Sequence, residues 1–309
     1  MNKRSGHARG KPSVLALCAA ALALALAAMT MGTAPARAAT PAPTYYLALG
    51  DSLASGGGTP KGHAYVDDVY AREAQGIPGL QFENLSCGGD STTRMIHGGL
   101  CTNYTTGNQL GDAEAFLAAH RGQISFVTID VGGDDILGCA INKVTIDPAC
   151  VTRALNAVKT NLPIILQGLF NAAGHHLHTV GMTYYDPILA AWVTGAPFFP
   201  GTNNQALAIQ SFSLLQQLNS ELRTIYDTFN VRIAPVQKLF RSGDFQLTGT
   251  WQGQTVPENV ALVCAWTHMC GTGPGEPNVH TTEGGHQLLA LKYERQLAHW
   301  TNLPPLLTP

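Results

Sequence analysis

Charge is scarce in this chain. Only 12% of its 309 residues are Asp, Glu, Lys or Arg, against 45% hydrophobic residues, so a charge-extended disordered chain is excluded. The same composition excludes a coiled coil and a collagen. No internal repeat, block of like charge or long linker interrupts the sequence, which favours one domain around a sizeable core. Basic excess is missing too. Five of the 18 Lys and Arg residues (Lys3, Arg4, Arg9, Lys11 and Arg37) fall in the first 38 residues, which contain no acid. The other 271 residues hold 13 basic and 20 acidic side chains, a net charge of −7 and a poor match for nucleic acid.

What is present begins with an address. A basic start through Lys11, an apolar run from Val14 to about Met31 and the tripeptide Ala36-Arg37-Ala38 read as a secretory signal cleaved after Ala38. The competing reading is a membrane anchor. The run is rich in Ala, which contributes weakly to insertion, and is only marginally long enough to span, so no stable anchor is expected. Export leaves a mature chain of residues 39–309, read as a single domain.

Of seven cysteines, Cys18 lies in the signal. The other six, Cys87, Cys101, Cys139, Cys150, Cys264 and Cys270, suit disulfides in an oxidising compartment. Fifteen pairings of six cysteines are possible. The short-range set would close three short loops, two of them containing Gly or Pro, each bridge adding about 2–3 kcal/mol. A zinc site at Cys264, His268 and Cys270 is the alternative, weakened by export and by the lack of a second Cys pair.

Strand patterns at Tyr45–Leu49, Leu80–Leu85, Ile124–Val131, His178–Met182 and Val231–Ala234 alternate with helical ones. The helices fall at Tyr65–Gln75, Ala113–His120, Pro148–Ala173, Asn204–Phe229 and about Thr282–Trp300, the third with Pro163 as a point of bending. Alternation of this kind implies a parallel sheet covered on both faces, with working groups beyond the carboxyl ends of its strands. Three turns sit there: Gly50-Asp51-Ser52, Cys87-Gly88-Gly89-Asp90 and Gly132-Gly133-Asp134-Asp135.

Ser52 follows the first strand, where a turn exposes a hydroxyl and aims backbone N–H groups at it. A lone Gly-Asp-Ser is more often a helix cap. The elbow Gly-x-Ser-x-Gly is absent, because Ala54 fills its last position. His280, just before the last helix, is the candidate base. His175, His176 and His178 sit at a turn into a strand and read as surface groups. Ser55-Gly56-Gly57-Gly58-Thr59-Pro60-Lys61 lacks the Gly-Lys-Ser/Thr of a phosphate loop and reads as a flexible lip of the site.

Gly50-Asp51-Ser52-Leu53, Asn84-Leu85-Ser86-Cys87-Gly88-Gly89, Gly132-Gly133-Asp134-Asp135 and His280 with Gly285 resemble, in order, the blocks of the SGNH (GDSL) hydrolase superfamily. The likeness is greatest to secreted actinobacterial esterases and lipases, and it covers nearly all of the mature chain. It implies a three-layer α/β/α fold around a five-stranded parallel sheet, and the disulfide pairs 87–101, 139–150 and 264–270. It also implies an ester hydrolase acting on small-molecule or lipid acyl esters as a monomer, without metal or cofactor. Ser52 would be nucleophile and first oxyanion donor, Gly89 the second donor and His280 the general base. Tyr184-Tyr185-Asp186-Pro187 resembles a loop bordering the acyl pocket, with Phe198-Phe199-Pro200 as further apolar wall.

Two positions depart from the family pattern. The third oxyanion donor is an asparagine in relatives, whereas position 134 is Asp; an ionised carboxylate there only accepts hydrogen bonds. Gly-rich turns and access to water favour the ionised form, which makes a binding or carrier protein with weakened catalysis the competing function. The acid expected three residues before the base is replaced by Pro277. A backbone carbonyl near Pro277 and Asn278, or else Glu276, is left to orient His280.

Overall fold

The computed structural model of the protein describes residues 44–141, 143, 145–194, 204–301 and 303. Residues 1–38, expected to be a signal, and Phe198-Phe199-Pro200 lie outside the described residues. Five strands, β1 (Thr44–Gly50), β2 (Leu80–Asn84), β3 (Ile124–Asp130), β4 (Thr179–Met182) and β5 (Arg232–Ala234), form a sheet in the order β2-β1-β3-β4-β5. Every pairing is parallel. β1 and β3 are buried over their last five residues because helices cover both faces of the sheet.

Helix α1 (Tyr65–Glu73) packs with α9 (Glu283–Leu297), where Tyr65 and Tyr293 stack at 4.6 Å. The Tyr293 hydroxyl also donates to the Ile129 carbonyl of β3 at 3.2 Å, which ties that layer to the sheet. Helices α3 (Gln109–Ala119), α5 (Pro148–Ala173) and α6 (Gln205–Thr228) pack side by side in a second layer. The result is the three-layer α/β/α sandwich that the alternation implied. Helix α5 begins with Asp147 accepting from the Ala149 N–H and Pro148 in the first turn, and it ends at left-handed Gly174. Pro163 lies within a single helical span.

Several elements carry little sequence signal. Helices α2 (Thr92–His97), α4 (Gly133–Leu137), α7 (Val236–Leu239) and α8 (Glu258–Trp266) were not expected. Neither were a 3-10 helix at Pro187–Trp192 and an antiparallel hairpin of β6 (Thr248–Trp251) and β7 (Gln254–Pro257). Most of these are too short for a hydrophobic period to register, and local caps start some of them, such as Ser91 accepting from the Arg94 N–H. Helix α3 starts four residues earlier than expected because Asn108 caps it, accepting from the Gly111 N–H at 2.8 Å.

The six cysteines from Cys87 to Cys270 pair locally: Cys87–Cys101, Cys139–Cys150 and Cys264–Cys270, with Cα separations of 6.0, 5.6 and 5.0 Å. The third bridge uses both sulfurs of the alternative zinc site and so excludes it.

Candidate active site

Strand order reverses between β1 and β3, and a crevice opens at such a switch point beyond the strand ends. Ser52 follows β1 and Asp134 follows β3, so the two expected residues flank this crevice. Register sets the detail. Gly50 is paired with Asp130, and a Cβ on Gly50 would lie 1.6 Å from Asp130 Oδ1, so only glycine fits. The Gly50 carbonyl accepts from the Cys87 N–H at 3.0 Å, which brings the Gly88-Gly89 turn beside Ser52. A Cβ on Gly88 would sit 3.8 Å from Ser52 Cβ. Neither the Ser52 nor the Gly89 N–H has an acceptor among the described residues.

Beneath Ser52 lies a set of acids. Asp51 is 2% and Asp130 0% exposed. Asp51 accepts from the Leu53 N–H at 2.9 Å and the Tyr184 hydroxyl at 2.6 Å, and Asp130 accepts from the Ala54 N–H at 3.1 Å. Burial raises Asp51 to about 6, and burial together with the neighbouring Asp51 charge pushes Asp130 well above the usual carboxylate range. Asp130 is therefore the protonated partner. Asp90 accepts from Gln109 Nε2 at 2.9 Å, and Asp135 accepts from the Thr92 N–H and hydroxyl, both at 2.8 Å.

Asp134 differs from all of these. Its carboxyl lines the cleft and has no hydrogen-bond partner among the described residues. Burial, then the charges of Asp51 and Asp135, raise its pKa to about 8. This direction runs against the expectation of an ionised Asp134: burial and the surrounding acids favour the protonated carboxyl, which has a proton to donate. The physical reason is that three other acids and the packed floor of the cleft surround it, a crowding that the Gly-rich turns did not suggest.

His280 reaches the same cleft from the loop before α9. Its backbone N–H donates to Asn278 Oδ1 at 3.1 Å, and its Nδ1 lies 3.0 Å from that same oxygen. The Asn278 amide nitrogen is committed to the Gly275 carbonyl at 2.9 Å, so the atom facing His280 is the oxygen. Nδ1 must therefore carry the proton, leaving a lone pair on Nε2. Burial is the main cause that lowers the His280 pKa, with the neighbouring His268 second.

The orienting group is hence the side-chain amide of Asn278. Neither expected alternative serves: no carbonyl of Pro277 or Asn278 reaches the ring, and Glu276 instead hydrogen-bonds Nδ1 of His268. His286, the other nearby imidazole, is buried and fully engaged, accepting from the Tyr65 N–H and donating to the Gly57 carbonyl.

Two tyrosines join the walls of the cleft. Tyr184 donates to Asp51, and Tyr185 donates to the Val279 carbonyl at 2.6 Å, next to His280. Asn219 of α6 holds the Tyr184 backbone through both its N–H and its carbonyl. Sequence reading placed these tyrosines at the acyl pocket, and they do line the cleft; their anchoring role had no signal of its own. The cleft is open to solvent, and beyond Ser52 its walls are largely apolar, with Ile136, Leu137, Ile188, Leu214 and Leu218 among them. His175 and His176 are spent on the Ala173 and Phe229 carbonyls, and His178 stacks on Trp300, before β4 and far along the strands from this cleft.

Residues 48–288 match the model of the GDSL-like lipase/acylhydrolase family. The chain belongs to that family. Among solved structures it is similar to phospholipase A1 from Streptomyces albidoflavus NA297, at 19% identity and a TM-score of 0.51 over 82% of this chain and 99% of that one. It also resembles an extracellular lipase from Streptomyces rimosus, at 20% identity and a TM-score of 0.48 over 84% and 100%. No curated protein matches it at the sequence level. Membership makes it a GDSL-type acyl hydrolase by family, and the first of these likenesses agrees with the sheet and layers described above.

Proposed function

We propose that this protein is an exported serine esterase that hydrolyses carboxylic acyl esters at Ser52. The observation that carries the reading is that Ser52, Asp134 and His280, whose Nδ1 faces Asn278 Oδ1, line one largely apolar cleft. Ser52 Oγ attacks the ester carbonyl carbon and gives its proton to His280 Nε2. The oxyanion receives the N–H groups of Ser52 and Gly89 and the O–H of neutral Asp134. When the intermediate collapses, the C–O bond to the alcohol breaks and His280 returns the proton to the departing oxygen. Water then attacks the acyl-serine by the same route in reverse, releasing the acid and free Ser52. Each oxyanion donor is typically worth about 3–4 kcal/mol.

With burial and neighbouring acids favouring its protonated form, Asp134 can serve as the third donor, which supports an enzyme over a carrier without chemistry. Apolar cleft walls favour an acyl chain over a sugar. Export and cleavage after Ala38 rest on the signal-like first 38 residues and agree with three disulfides. An alkyl fluorophosphonate should label the protein once, at Ser52, as read by peptide mass mapping. A protein that stays unlabelled from pH 5 to pH 9 would overturn the hydrolase reading.

A further inference from the structure

His268 lies directly across from the base. Residues 266–268 run antiparallel to 278–282: the His268 N–H donates to the His280 carbonyl at 2.9 Å, and the Asn278 N–H donates to the His268 carbonyl at 3.2 Å. A bridge between Thr267 and Thr281 and a 3.0 Å bond from the Thr282 N–H to the Trp266 carbonyl extend the pairing.

The side chain of His268 has two partners, and both are acceptors. Nε2 lies 2.8 Å from the Gly58 carbonyl, which can only accept. Nδ1 meets the Glu276 carboxylate, whose pKa is lowered chiefly by that contact and whose other oxygen accepts from the Gly273 N–H at 2.9 Å. Both ring nitrogens of His268 thus face acceptors, an arrangement that is satisfied in full only by a ring with a proton on each nitrogen.

Gly58 in turn touches the base. A Cβ on Gly58 would stand 2.6 Å from His280 Cβ and 3.1 Å from His268 Cδ2, and its φ of +86° also selects glycine. A Cβ on Gly57 would stand 2.7 Å from His280 Nε2. The Gly57 N–H donates to the Ser52 carbonyl at 2.6 Å, while its own carbonyl is held by His286. Consecutive carbonyls of one glycine strip are thus gripped by two histidines, and the strip lies between the nucleophile turn and the base.

We propose that the Glu276–His268 ion pair is a positioning device for His280: it clamps the Gly57-Gly58 strip against the base and sets a fixed positive charge beside it. The carboxylate missing from its family place at residue 277 acts one histidine away, through charge rather than by touching the base. A neighbouring cation disfavours a second positive charge, so His280 stays an unprotonated base to lower pH. The other titratable groups packed on these loops do not supply that charge. His286 is neutral by its two bonds, Asp67 stands behind it, the His63–Glu283 pair is about half exposed, and Asp51 and Asp134 across the cleft are acids.

The base role in this inference rests on the hydrolase reading, and the test separates the two. In protein labelled with 15N-histidine, His268 should show protons on both ring nitrogens at pH 7, and Glu276→Gln should remove one of them. His268→Gln and Glu276→Gln should each raise the His280 titration midpoint, although they delete opposite charges. The shift expected is about 0.5–1 pH unit, seen as a three- to ten-fold loss of kcat/KM for p-nitrophenyl butyrate at pH 5 with little change at pH 8. A singly protonated His268 at pH 7, or an unmoved His280 midpoint in both folded variants, would overturn the proposal. The NMR arm decides even if Ser52 resists the fluorophosphonate, a result that counts against the hydrolase reading alone.

Discussion

Ser52 stands on a wall made by the central strands, whereas His280 stands on one made of loops. Behind Ser52, side chains from β1, β3 and the end of β4 converge on Asp51, and the acids there are almost wholly buried. Around His280 the order comes from backbone pairing of 266–268 with 278–282, from Asn278, and from an ion pair whose side chains keep 22% and 23% of their surface exposed. The difference is one of dielectric. Crowded, poorly hydrated acids hold their protons to higher pH, and Asp130 and Asp134 are both pushed upward in this way. The partly wet loop wall can keep a charged pair at little desolvation cost, and Glu276 and His268 meet there beside His280.

The largest break in this comparison removes one residue from each wall. Ser52→Ala and His280→Ala should each lower kcat by on the order of 10⁴–10⁶, with the double variant scarcely worse, because the two act as a unit. Steady-state rates on a short-chain nitrophenyl ester check this; a double variant that multiplies the two losses would separate their roles. Next comes Asn278→Ala, which strips the acceptor fixing the His280 tautomer. A loss in kcat of about 10–10²-fold is expected, the worth of one hydrogen bond to a developing cation. If Asn278→Ala were silent in a folded protein, the loop wall would orient His280 by packing alone.

Asp134→Asn tests the strand wall at smaller amplitude. Below pH 7 both side chains donate, so rates should agree closely. Above about pH 8 wild-type Asp134 loses its proton while the amide does not, giving the variant about a tenfold advantage at pH 9. A gain at pH 6 instead would show an ionised Asp134 there.

The smallest effect concerns stability. Asp51, Asp134, Asp186 and Glu294 have folded pKa values raised to about 6, 8, 7 and 7, each chiefly by burial. The folded state therefore holds protons that the unfolded chain has released, and the stability they contribute at acid pH is lost as pH rises through 6–8. His178, His280 and His286, lowered by burial, act oppositely only below about pH 6.5. Calorimetry should find Tm falling by roughly 3–6 °C from pH 6.5 to pH 8.5. A rise over that interval would mean the acids are not held protonated.

Much of this protein was legible from residues alone. The five strands are read from short runs between turns, most clearly from the β-branched residues of Ile124–Val131, and the turns after β1 and β3 from Gly-Asp-Ser and Gly-Gly-Asp-Asp, because a local pattern encodes local structure. An even cysteine count pointed to disulfides, and the family likeness to their pairing. What sequence did not reveal depends on neighbours distant in the chain. Asp130 and Asp51 are 79 positions apart and meet only because Gly50 and Asp130 share a register. Glu276 lies only four residues before His280 and serves His268 instead, since the pairing of 266–268 with 278–282 puts His268 within its reach. The protonation of Asp134 follows from burial and from charges brought in by three separate turns, and a carboxyl's pKa is a property of what surrounds it in space. The sequence alone determined which groups are available for chemistry; only the tertiary structure decided which of them hold protons, and for whom.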